Sequence, residues 1–150
     1  MKAVVQRVIQ ASVSVNNSLI SEIGEGLLVL LGVQEGDGIE DLEWLSQKVC
    51  RMRILADEEG KMNRSLIDTG GEMIVVSQFT LQASTKKGNR PSFLRAAVPS
   101  LSEPLYEQFC RLAEIELGRP IGRGVFGADM KVSLINDGPV TIVIDSRNRE

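Results

Sequence analysis

Ala11, Val13 and Val15 alternate with Ser12 and Ser14, the two-residue period of a strand with one wet face. Asn16-Asn17 predicts a turn, residues 19–23 a short second strand, and Gly24-Glu25-Gly26 a passage into Leu27-Leu28-Val29-Leu30-Leu31. That unbroken apolar run predicts a strand covered on both faces, the centre of a sheet. After the turn-rich Glu35-Gly36-Asp37-Gly38, Ile39, Leu42, Leu45, Val49 and Met52 fall at helical spacing. Glu40, Asp41 and Glu43 come early in this stretch and Lys48, Arg51 and Arg53 late, the order that a helix dipole favours.

Asp57-Glu58-Glu59-Gly60-Lys61 reads as a turn, and residues 72–81 as a buried strand ending in polar side chains. Residues 84–95 are polar and basic and predict a loop. A second helix follows, with Ser100 and Glu103 at capping-box spacing, Pro104 in the first turn, and Leu101, Leu105, Phe109 and Leu112 as its buried stripe, until Gly118 and Pro120 stop it. Met130, Val132 and Leu134 alternate with Lys131 and Ser133, and residues 140–144 are β-rich, so two closing strands are expected with a turn at Asn136-Asp137-Gly138-Pro139. Residues 146–150 are expected to fray. With 150 residues and no repeat or linker, residues 1–150 read as one α/β domain: sheet strands and two principal helices.

Composition narrows the chemistry. Hydrophobic residues make up 43% and charged residues 25%, those of an ordinary globular protein, and the net charge of -3 argues against a surface that grips nucleic acid everywhere. Cys50 and Cys110 are too few for a thiolate zinc site, and reduced thiols in a cytosolic setting are the economical reading. The chain has no histidine, which removes Ser-His-Asp and Cys-His hydrolases, H-E-x-x-H metalloproteases and imidazole acid–base catalysis. Gln6, Arg7 and Gln10 interrupt the first segment before a signal-peptide core forms, and no apolar run approaches the ~20 residues that cross a bilayer, so no membrane role is expected.

Gly122-Arg123-Gly124-Val125-Phe126-Gly127 matches GxGxxG, but its order is helix, loop, strand, the reverse of a dinucleotide site, and a flexible connector is the expectation. Cys50 and Cys110 lie beside apolar stripes and read as packing. The acids at 40, 41, 43 and 57–59 lack the pattern of a calcium loop and read as wet surface, so no metal is expected. Lys86, Lys87, Arg90 and Arg95 form a cluster of four cations with no acid between them. Charge alone leaves a solvated loop and a phosphate-facing patch both open.

Ser77-Gln78-Phe79-Thr80-Leu81 sets hydroxyl and amide groups at the end of an apolar strand, and Asn136-Asp137-Gly138-Pro139-Val140-Thr141 sets Gly-Pro between strands. Together with Gln6-Arg7-Val8 and Arg90-Pro91-Ser92-Phe93, they resemble the D-aminoacyl-tRNA deacylase family from Met1 to about Ile144. The resemblance implies curved mixed β-sheets, barrel-like and layered, and a cytoplasmic homodimer that hydrolyses D-aminoacyl-tRNA and mischarged glycyl-tRNA while sparing the L form. This would be a chiral proofreading activity in translation, with tRNA as partner, no DNA and no cofactor. It places Ser77, Gln78 and Thr80, as catalytic residues, and Phe79, as a substrate-binding one, around the terminal adenosine and its amino acid. It makes Gly138-Pro139 a cis peptide that enters the partner subunit's site, gives Phe126 and Met130 to the pocket wall and Arg7 to bracing, and turns Lys86, Lys87, Arg90 and Arg95 towards tRNA. Thr80 is the natural nucleophile by residue type, but no histidine or lysine in its motif activates it, so a positioning role ranks first. The resemblance recruits the 2'-hydroxyl of the terminal ribose instead. An RNA-end or amino-acid binding module without turnover, and an esterase indifferent to chirality, are the alternatives.

Overall fold

In the computed structural model, which describes Met1–Glu150, one strand organises the sheet. β1 (Lys2–Val15) is paired along its whole length by β8 (Met130–Asp145) on one edge. Its other edge is shared, with β3 (Gly26–Gly32) on the first half and β2 (Ser18–Ile23) on the second. β6 (Glu72–Ser77) lies parallel to β3, and β7 (Gly122–Arg123) parallel to β6. The Ser21 hydroxyl of β2 donates to the Arg123 carbonyl of β7 at 3.0 Å, so the two ends of the strand order meet and the sheet is a nearly closed barrel. β4 (Leu55–Ala56) and β5 (Met62–Arg64) form a separate small ribbon.

Alternation decides what lies on either side. Leu27, Val29 and Leu31 of β3 enter a core shared with the helices, while Leu28 faces a smaller inner core with Val8, Val13, Ile74 and Val76. The expected two-sided burial of this strand is therefore real. The Asn16-Asn17 turn has both residues at positive φ, 49° and 62°, the mirror-image turn that suits a tight hairpin.

α1 (Ile39–Arg51) runs over the predicted span, with the Asp41 carboxylate accepting from the Gly38 N–H at 3.0 Å. A single turn, α2 (Leu66–Thr69), and the long α3 (Pro99–Leu117) complete the helices. In α3, Pro99 holds the first helical position, so Pro104 lies in the interior and Ser100 is not the cap. Of the expected stripe, Phe109 is fully buried, Leu105 and Leu112 pack partly buried against the core and Leu101 is 54% exposed; the fully buried face is Ser102, Tyr106, Phe109, Cys110, Ala113 and Leu117. Tyr106 turns inward because its hydroxyl finds a buried acceptor, the Val75 carbonyl at 2.9 Å, which an apolar-only reading of the helix misses. α3 ends as expected at Gly118, in the left-handed region with φ 67°.

Two further expectations are corrected. Residues 130–145 are one strand whose pairing with β1 shifts register around Asn136 and Thr141, so Asn136-Asp137-Gly138-Pro139 is a bulge and not a turn between two strands. The tail is docked, not frayed. The Met1 ammonium donates to the buried Ser146 hydroxyl at 2.6 Å and pairs with the buried Asp37 at 2.9 Å, Arg147 pairs with Asp37 at 2.9 Å, and Arg149 stacks 4.6 Å over Trp44. These partners are far away in sequence, which is why composition alone suggested a loose end. No helix is long and apolar enough to cross a membrane.

Candidate functional site

The strand reading of residues 72–81 fails at Ser77, and that failure makes the site. β6 stops there and the chain turns into a 3₁₀ turn, Phe79–Gln82. The Gln78 N–H still donates to the Leu31 carbonyl at 2.8 Å, but the buried Gln82 side-chain amide takes over the next carbonyl, Gly32, at 2.9 Å. A side chain thus continues the ladder while the backbone peels away. The leading N–H groups of such a turn, those of Phe79 and Thr80, have no carbonyl within it to donate to.

The turn opens onto a cavity of about 520 Å³. Ser77, Gln78 and Phe79 line one side, Phe126 and Met130 another, and eleven of its seventeen lining residues are hydrophobic. The Gln78 side-chain amide donates to the Thr80 hydroxyl, which is half-buried beside the cavity and not part of its wall. No basic group holds that hydroxyl. Cys50 and Cys110 are buried, and burial pushes both thiols up to about 12, so they are protonated, inert packing across the neutral range. Tyr106 also lines the cavity, with burial driving its phenol far above its ordinary value. The one charged lining residue, Asp129, lies out in solvent against Lys131 at 3.0 Å.

Sequence reasoning missed Tyr106, Asp129 and the wall formed by Ala96, Ala97 and Ser102. The small residues carry no chemical signal; the lone tyrosine on an apolar helix face was the available one. The GxGxxG segment is also more than a connector. A Cβ on Gly122 would fall 2.7 Å from Ile74 Cγ1 and one on Gly124 2.6 Å from Met130 Sδ, so close packing sets these glycines.

Gly138 and Pro139 do not line the cavity of their own chain. They are exposed, and their peptide bond is cis. Arg7 secures the bulge: its guanidinium donates to the Asp137 carbonyl at 3.0 Å and to the Ile54 carbonyl at 2.8 Å, and meets the Asp137 carboxylate at 3.1 Å. Lys86, Lys87, Arg90 and Arg95 lie exposed on the loop after the turn, and none is within ion-pair distance of an acid. Paired backbone hydrogen bonds between Ser84 and Ser92, 2.8 and 2.9 Å, close this loop on itself. Phe93 packs edge-on against Phe79, centroids 5.1 Å apart, so the basic loop and the 3₁₀ turn are one surface.

The family model described as D-Tyr-tRNA(Tyr) deacylase matches residues 4–145. The chain belongs to this family. Relatives named D-aminoacyl-tRNA deacylase from Parabacteroides distasonis and Cytophaga hutchinsonii are 57% and 59% identical over 150 residues, all of both chains. A solved structure named c-Myc DNA Unwinding Element Binding Protein superposes on the deacylase-family chain with TM-score 0.91 at 42% identity, covering 97% of this chain and 98% of that one. A second, described as a "probable eukaryotic D-amino acid tRNA deacylase", shares the fold, with TM-score 0.82 at 18% identity over 95% and 97% of the two chains.

Proposed function

We propose that this chain hydrolyses the ester of D-aminoacyl-tRNA, and of mischarged glycyl-tRNA, in the cytoplasm and leaves L-aminoacyl-tRNA intact. The observation that carries the reading is the end of β6, where two backbone N–H groups lead a 3₁₀ turn at the mouth of an apolar cavity. An aminoacyl ester is already activated. Water adds to the carbonyl carbon, the oxyanion is met by N–H donors, the bond to the ribose oxygen breaks, and the proton from water leaves on that oxygen. Each such donor contributes roughly 2.7–4 kcal/mol to the transition state, so placement does the work that a strong base does elsewhere. Ser77, Gln78 and Thr80 position the reacting groups, Phe79, Phe126 and Met130 hold the apolar part of the terminal nucleotide, and Lys86, Lys87, Arg90 and Arg95 meet tRNA phosphates.

Gly138 and Pro139 act in trans. Exposed on a bulge and stiffened by Arg7, they enter the partner subunit's site in a homodimer, where their carbonyls hold the substrate's amino group and their bulk leaves no room for an L side chain. Purified protein given matched D- and L-tyrosyl-tRNA, without added metal or cofactor, is expected to release D-tyrosine and spare the L ester. Equal loss of both esters would make it an achiral esterase. Tight binding with loss of neither would make it a binding module.

A further inference from the structure

Gly124 follows β7 directly, and its N–H donates to the Val75 carbonyl at 3.0 Å, which ties its backbone to the strand that ends in Ser77. A Cβ built there would lie 2.6 Å from Met130 Sδ and 3.7 Å from both Met130 Cε and Val76 Cγ2. Met130 and Val76 both line the cavity. We propose that Gly124 sets the depth of the substrate cavity: because it lacks a side chain, Met130 lies back against it and the cavity keeps its room. This rests on reading the cavity as the seat of the substrate's terminal group.

Gly26, Gly122 and Gly124 are among the barrel glycines where a Cβ would collide, and they differ in what it would hit. At Gly26 the obstacle is the Glu72 carbonyl oxygen at 1.9 Å, which is backbone and cannot yield. At Gly122 it is Ile74 Cγ1 at 2.7 Å, a fully buried side chain of the inner core that does not line the cavity. At Gly124 the obstacle is the far end of a methionine, with three rotatable bonds and a polarizable sulfur, the side chain best able to move. The Met130 backbone is fixed by pairing with Val15, so the thioether alone can shift, and the open volume beside it is the cavity. Gly124 has no positive φ, so alanine is conformationally acceptable. A methyl group at 124 is therefore transmitted into the cavity as a displaced methionine.

The test compares the parent with Gly124→Ala, Met130→Ala and the double variant. Gly124→Ala is expected to raise KM for D-aminoacyl-tRNA roughly tenfold, the low end of what a methylene-sized misfit in an apolar pocket costs, with kcat within about twofold. In the Met130→Ala background the same substitution should leave KM unchanged. Methyl-labelled methionine NMR gives a readout free of turnover: Met130 should shift in Gly124→Ala more than the other four of the chain's five methionines. A parent that deacylates nothing defeats the proposed function and leaves the NMR comparison standing. An unshifted Met130, a parental KM in Gly124→Ala, or a defect that persists in the double variant overturns the inference. Should Gly124→Ala fail to fold, the double variant must fold, and its failure overturns the inference equally.

Discussion

Residues 77–82 and 136–141 are both short irregularities in strands, and they face opposite ways. The first turns inward: β6 ends, Gln82 replaces the ladder from the side, and Ser77, Gln78 and Phe79 line an apolar cavity. The second turns outward: a strand paired on both sides of the bulge carries Gly138 and Pro139 into solvent, with Arg7 as the strut beneath. One region is a pocket that lacks a lid, the other a rigid projection that lacks a pocket. In the function proposed above these are the two halves of one site; they do not meet within a chain, and two copies would complete each other.

Breaking the projecting half should have the largest effect. Gly138 has φ +132°, a region that L side chains rarely adopt, and a Cβ there would lie 2.9 Å from Val140 Cγ2 and 3.0 Å from Arg7 Nη2. Gly138→Val is expected to reduce kcat/KM at least ~100-fold, a loss of about 2.7 kcal/mol of transition-state stabilisation, while circular dichroism reports a folded protein.

A smaller effect sharpens the inward half. Thr80 accepts a hydrogen bond from Gln78 and has no base, so Thr80→Ala should cost roughly tenfold in kcat. Removing a true nucleophile costs on the order of 10⁶, and a loss of that size in single-turnover assays would restore Thr80 to a covalent role.

Smaller again is the basic loop. Alanine at Lys86, Lys87 and Arg90 together removes three unpaired cations, so the slope of log affinity against log salt should flatten by about 2, at ~0.7 per phosphate contact. Fluorescence-monitored tRNA binding at several salt concentrations measures it, and an unchanged slope would make the loop a solvated surface. Duplex DNA should compete poorly with tRNA in that assay.

The smallest effect is that of pH near neutrality. At Asp41 burial pushes upward, but hydrogen bonds from Ser146 and Gly38 prevail and lower it, and hydrogen bonds from Lys61 and Ser65 lower Asp57 and Asp68. Carboxyls that ionise more readily when folded stabilise the fold fully above their ordinary value of 3.8 and lose that contribution as pH falls through the lower folded values. Thermal melting should therefore be nearly flat from pH 6 to 8 and decline below about pH 4.

Much of this was legible in local sequence. Periodicity located α1, the covered strand β3 and the Asn16-Asn17 turn because each is dictated by neighbours within one or two turns of chain. The misread features are those set by distant partners. The Val75 carbonyl draws Tyr106 inward and rotates the buried face of α3. Asp37 and the Met1 ammonium capture the tail. β1 pairs on both sides of residues 137–140, through Asn136 and Thr141, and keeps them in one strand. In the site, Ser77, Gln78 and Phe79 were visible as polar and aromatic groups at a strand end, whereas Ala96 and Ala97 contribute only shape and left no chemical trace.

The claim that two copies complete one site has a direct test in mixed dimers. Gly138→Val leaves its own cavity intact, and Ala96→Trp fills the cavity but leaves Gly138 and Pro139 in place. Each variant alone should be inactive on D-tyrosyl-tRNA. Refolded together at equal amounts, they should recover about a quarter of parental turnover, since half of the dimers are mixed and each holds one complete site. Mixed dimers verified by native mass spectrometry and still inactive would contradict the account and place the whole site within one chain.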